Sequence, residues 1–255
     1  MRATHVQLVD TVRSPLLRRW LDQVAPAPVG GSVRQVSSWP AWPAFAGWLV
    51  ALMLASVGAT LAIGAGGSDD GSGALLAGQV GLWAGFVGTA VIASRQFGSG
   101  DVRADFGFTI RVVDIARSAL VGVVVQVIVV PAIYLPLVAA GVDLDVWGPA
   151  EELFHALDGL ARIAIAAGVI VVAPVAEELL FRGVLLKGLA SRFGSCAAIW
   201  ASSLLFAGTH FQAVQFPGLL AIGLTLAWLA RRTGGVAAPI WAHAAFNATT
   251  VALLW

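Results

Sequence analysis

The 255-residue chain is 58% hydrophobic and 11% charged, with a mean hydropathy of +0.86, far below the roughly 25% charge of a soluble domain. A net charge of +1 leaves no electrostatic footprint for nucleic acid. Cys196 is the only cysteine, which excludes an intramolecular disulfide and any cysteine-rich metal site. These values predict an all-α, polytopic membrane helix bundle.

Residues 1–40 form a basic segment, expected to be cytoplasmic, with no apolar run long enough to span; this argues against a cleavable signal peptide. Within it Val12–Val24 has the pattern of a short helix on the membrane surface or in solvent. Residues 41–159 supply the first transmembrane helices and their loops, and residues 160–255 a C-terminal bundle. About seven spans are predicted: Phe45–Ala65, Ala74–Ser94, Ser118–Ala140, Leu160–Leu186, Ala197–His210, Leu219–Ala230 and Val236–Trp255. Pro131 and Pro136 should disturb the third, because each lacks a helical donor and crowds the preceding turn. With the N-terminus cytoplasmic, every basic residue except Arg162 falls on the inner side, while Asp69, Asp70, Asp143, Asp145, Glu151, Glu152 and Asp158 fall outside. That bias fits the positive-inside rule for an N-in, C-out protein, with the plasma membrane as the expected location.

The fourth span carries the motif Glu177-Glu178-Leu-Leu-Phe-Arg182-Gly183 in an otherwise apolar run. Each ionised side chain near a bilayer centre costs roughly 2.5–3.5 kcal/mol, so three unpaired ones cost on the order of 8–10 kcal/mol. Glu178 and Arg182 stand at i and i+4, with the carboxylate N-terminal to the cation, the favourable order for an ion pair. Glu177 projects about 100° away and is left to find partners elsewhere. Two later helices offer them, through Phe206-x-x-x-His210 and His243-x-x-x-Asn247. From helix rise, Glu177 and His243 come out at similar depth, roughly 13 and 10 Å, whereas His210 lies nearer 20 Å.

A carboxylate, two imidazoles and an amide suit polar bond cleavage: general base, water holder and proton shuttle, oxyanion donor. Glu177, His210 and His243 would equally make a three-ligand site for one divalent metal such as zinc, with a fourth position open for water. Spacing does not choose between the two. Other motifs lead elsewhere. Glu151-Glu152-Leu-Phe-His155 imitates the central motif but lies in the acidic outer loop without a following Arg-Gly. Gly98-Ser-Gly-Asp101 sits in a loop and has no Tyr-Asp partner. Neither His-Glu-x-x-His nor Gly-x-Ser-x-Gly is present.

The order Glu-Glu-x-x-x-Arg, Phe-x-x-x-His, His-x-x-x-Asn, each in an apolar helix, resembles the CPBP intramembrane protease family, which includes type II CAAX prenyl endopeptidases and bacteriocin-processing or self-immunity proteins. The likeness spans roughly Leu160–Trp255, including Arg232-Thr-Gly-Gly235 and Pro239 ahead of His243. It implies a CPBP-like catalytic bundle and a glutamate- or metal-dependent endopeptidase acting on a peptide or protein, lipidated in the prenyl-processing members, within membrane lipid. By the resemblance Glu177 with His210 would activate water, His243 and Asn247 would steady the oxyanion or help bind a metal, and Glu178 and Arg182 would support them. A second class fits the same polar residues: a non-enzymatic transporter or immunity scaffold that uses Glu177, His210 and His243 for proton or cation binding. No internal repeat of the kind carriers show is visible.

Overall fold

The computed structural model describes residues 39–255 except 67–70, 143, 147, 149–150, 153–156 and 158. The surface helix predicted over Val12–Val24, the domain assignment of 1–40 and most of the 151–155 motif therefore lie outside the described residues. Among those described every regular element is helical: α1 (Trp42–Gly64), α2 (Ser72–Phe97), α3 (Val102–Phe106), α4 (Val112–Ala139), α5 (Gly159–Phe193), α6 (Ser195–Gly208), α7 (Phe216–Thr233) and α8 (Ala237–Leu254). A helix stands at each of the seven places predicted to span. Four of them, α1, α2, α4 and α5, are long and apolar enough to cross a membrane. The remaining three are shorter or more polar: α6 has 14 residues, α7 carries Arg231 and Arg232 in its last turn, and α8 carries His243 and Asn247.

α1 turns Leu49, Met53, Val57 and Leu61 outward, the spacing of one helix face given over to lipid. Its other face meets α2 through small residues. A side chain added at Gly81 would strike the Leu54 backbone, and one at Gly85 would strike Ala51. Lipid tails are as apolar as a leucine side chain, so such close packing, not exclusion from water, holds two apolar helices together.

α4 and α5 each contain a π turn, at Val125–Val129 and Gly168–Val172, that ends two residues before a proline, Pro131 and Pro174. The disturbance expected at Pro131 thus takes the form of a wider turn, which makes room for the ring. A third π turn, Leu179–Leu185, carries Arg182. α5 accordingly has a widened turn on either side of Glu177-Glu178.

α4 also presses on α8. A Cβ at Gly122 would run into the Ala242 carbonyl and the Phe246 amide, which flank His243. Gly122→Ala should destabilise the protein by about 1–3 kcal/mol through overpacking, read as a lowered Tm in detergent; an unchanged Tm would mean that α8 can shift freely.

α3 ties the first helices to the last. Asp101 caps it, accepting from the Arg103 and Ala104 amides, so the Gly-x-Gly-Asp look-alike is a helix cap. Beyond it the Val236 amide donates to the Phe106 carbonyl at 2.8 Å, and Lys187 Nζ donates to the Asp105 carbonyl at 2.6 Å. Burial pushes the Asp105 carboxyl up, but donors from Ser94, Ser99 and Gly100 outweigh it and hold the group below its ordinary value. Its contribution to stability is therefore present at neutral pH and fades only as pH falls through that lowered value.

Candidate active site

The buried ion pair forms as its spacing predicts. Arg182 Nη1 donates to Glu178 Oε1 at 2.7 Å, and both side chains are 0% exposed. Arg182 also donates to the Gly223 carbonyl at 3.1 Å, and its guanidinium lies 4.3 Å from the centroid of the Phe206 ring. Phe206 is buried and stands edge-on to Phe181, His210 and His243. The phenyl ring thus joins the ion pair to both imidazoles.

His243 bridges the two glutamates. Its Nδ1 lies 2.9 Å from Glu178 Oε1, and its Nε2 lies 3.8 Å from Glu177 Oε2. The first distance makes a hydrogen bond and the second does not. Glu177 Oε2 is buried without a hydrogen-bond partner, as is the second oxygen of Glu178. A bond from Nδ1–H to Glu178 fixes the tautomer and leaves the Nε2 lone pair turned toward Glu177.

His210 lies just past the end of α6, its Nδ1 2.7 Å from the Phe206 carbonyl. The next residue, Phe211, holds a φ of 54°, a left-handed conformation that a bulky side chain adopts only where the surroundings impose it. The chain thereby turns sharply at His210, and the imidazole lines the same cavity as Glu177 despite the depths read from helix rise.

Asn247 is set by an absence in α5. In the π turn the Ala173 amide bonds back to the Gly168 carbonyl; the next amide in that register would serve Val169, but residue 174 is proline and has none. Asn247 Nδ2 takes the Val169 carbonyl instead, at 2.8 Å. One amide hydrogen is thus spent on orientation and the other remains to donate.

Glu177, His210, His243 and Asn247 all line a cavity of about 470 Å³. An apolar cavity of about 280 Å³, walled by Phe45, Leu180, Leu185, Leu204 and Phe211 among others, shares Trp48, Phe181 and Thr209 with it. Among the described residues no group of three or more His, Cys, Asp or Glu could hold a metal ion. The three groups named for a metal, Glu177, His210 and His243, share the cavity; Nδ1 of each imidazole is engaged, by the Phe206 carbonyl in His210 and by Glu178 in His243.

The first helices contribute residues not singled out in the sequence: Trp48, Gln79, Trp83, Gln126 and Tyr134 line the cavity as well. Gln126 is 3% exposed and its Oε1 has no hydrogen-bond partner. Leaving such an acceptor unpaired costs about 1–3 kcal/mol. A lone amide in the apolar run from Ala119 to Ile133 was the available signal.

Residues 159–249 match the family model described as type II CAAX prenyl endopeptidase Rce1-like. An uncharacterized 24.3 kDa protein of Escherichia coli is 34% identical over 94 residues, 34% of this chain and 42% of that protein; the match thus spans less than half of the relative's length. No solved structure matches. With four helices able to cross a bilayer, this is an integral, multi-pass membrane protein, and its residues 159–249 are similar to the type II CAAX prenyl endopeptidases of the Rce1-like family.

Proposed function

We propose that the protein is an intramembrane endopeptidase in which Glu177 and His243 activate a water molecule without a metal ion. The observation that carries this is the unpartnered Glu177 Oε2 facing His243 Nε2 across 3.8 Å. That gap is too long for a direct bond and suits one bridging water. Such a water would donate one hydrogen to the carboxylate and the other to Nε2, leaving an oxygen lone pair free for a peptide carbonyl. Glu177 takes the proton as the bond forms and returns it to the leaving amine, a general base turned general acid. His210, through its second nitrogen, and Asn247, through its remaining amide hydrogen, stabilise the oxyanion. Glu178 and Arg182 touch no substrate; they hold His243 in its tautomer.

The adjoining apolar cavity supports a substrate with a lipid or strongly apolar segment beside the scissile bond, as in a prenylated C-terminus. The distribution of basic residues supports seven crossings with the N-terminus inside.

Metal content of the purified protein tests the mechanism. Wild type and a His210→Ala, His243→Ala double variant should both contain far less than one equivalent of any transition metal. Near-stoichiometric zinc in wild type, lost in the variant, would replace this mechanism with one in which Glu177, His210 and His243 are ligands.

A further inference from the structure

The catalytic groups and the family match both lie in α5 to α8, yet one wall of the cavity is built by helices from the other part of the chain. Gln126 stands out there. It is buried, its Oε1 has no partner, and it lines the cavity shared with Glu177 and His243. It sits inside the π turn Val125–Val129, where the Val130 amide bonds back to the Val125 carbonyl and the next amide is missing at Pro131. Gln126 thus stands to Pro131 as Val169 stands to Pro174. In α5 that vacancy is met by Asn247, whereas no residue offers a side-chain hydrogen bond to Gln126 among the described residues.

We infer that Gln126 binds the main chain of the substrate, its amide pairing with one peptide unit of an extended segment laid across the cavity. A primary amide offers one acceptor and donors beside it, the complement of a peptide N–H and C=O. Charge points the same way. Apart from Glu177 and the two imidazoles the lining has no ionisable group but Tyr134, whose hydroxyl is bonded to the Val214 carbonyl at 2.7 Å. Gln79, Gln212, Gln215 and Asn247 are the other amides. Such a wall accepts uncharged backbone and gives no cation to a carboxylate. Gln126 therefore contributes to affinity for the peptide, not to water activation. This inference rests on the endopeptidase reading only in taking a peptide as the ligand.

The test uses the full chain in detergent, with Glu177→Gln introduced to stop turnover. The probe is a peptide carrying a farnesylated cysteine, and binding is read from the fluorescence of Trp48 and Trp83 in the cavity wall. Gln126→Met keeps the side-chain volume and removes the amide; it should raise Kd roughly 3- to 10-fold while leaving Tm unchanged or higher, because a buried acceptor without a partner has gone. Peptides in which single backbone amides near the cysteine are replaced by esters supply the second measurement. At one position the ester should weaken binding to the Gln126 protein and have no effect on Gln126→Met. An unchanged Kd in Gln126→Met, ester penalties equal in both proteins, or no peptide binding to the Glu177→Gln protein would each overturn the inference. Binding that behaves as expected, alongside a wild type that cleaves none of the peptides, would overturn the endopeptidase reading and leave Gln126 as a peptide-binding residue.

Discussion

Glu177→Gln should fold and insert as the wild type does, yet lose peptide cleavage by about 10³-fold, within the range attributed to a positioned general base. The substitution keeps the shape of the side chain, so the cavity persists. It also removes a buried anionic oxygen that has no hydrogen-bond partner and stands next to a second carboxylate, so Tm should hold or rise. Loss of activity together with undiminished stability marks a group kept for chemistry at some cost to the fold. Turnover of a quenched fluorescent, farnesylated peptide by the purified protein gives the rate, and a thermal melt gives Tm. A rate within tenfold of wild type would remove Glu177 from the mechanism.

Arg182→Met should have the opposite profile, with a loss of stability first and of activity as its consequence. Removing the guanidinium leaves the Glu178 carboxylate buried at 0% exposure with only His243 beside it. Breaking a buried pair from one side costs about 3–5 kcal/mol, on the order of 10 °C in Tm for a chain of this size. Adding Glu178→Gln to Arg182→Met removes the stranded charge and should recover much of that loss, because the two effects are coupled through one contact. Activity should stay low in the double variant, since His243 Nδ1 then faces a neutral amide and its tautomer is no longer fixed by a carboxylate. If both single variants and the double melt with the wild type, the ion pair is not what secures α5 within the bundle.

Much of the site could be read from spacing. An interval of four residues placed Arg182 opposite Glu178 and separated Glu177 from both, and the His243 and Asn247 pair was identified by one further interval of the same kind. What spacing could not give was rotation about each helix axis. His243 meets Glu178 through Nδ1 and Glu177 only across a gap because α8 is pressed against Gly122 of α4, a contact between residues far apart in sequence. The role of Asn247 was hidden for a different reason: its partner is a main-chain carbonyl that becomes available through the π turn before Pro174, and hydropathy does not register a change of helical pitch. Gln126 was legible as a polar residue in an apolar run, but not as part of the cavity, since nothing local indicates which face of α4 turns inward. The seven apolar segments coincide with helices, while only four are long and apolar enough to cross on their own.

The widened turns of α5 also limit how its sequence can change in length. A π turn is in effect one residue inserted into an α-helix, absorbed without breaking the rod. α5 has absorbed one on each side of Glu177-Glu178, at Gly168–Val172 and Leu179–Leu185. Deleting a residue from either would turn the helix on one side of the cut by about 100° relative to the other, so that the glutamates would lose either the Val169 carbonyl that orients Asn247 or Arg182. Between Gly168 and Leu185 this helix can therefore exchange side chains, but it cannot gain or lose a residue and keep its site.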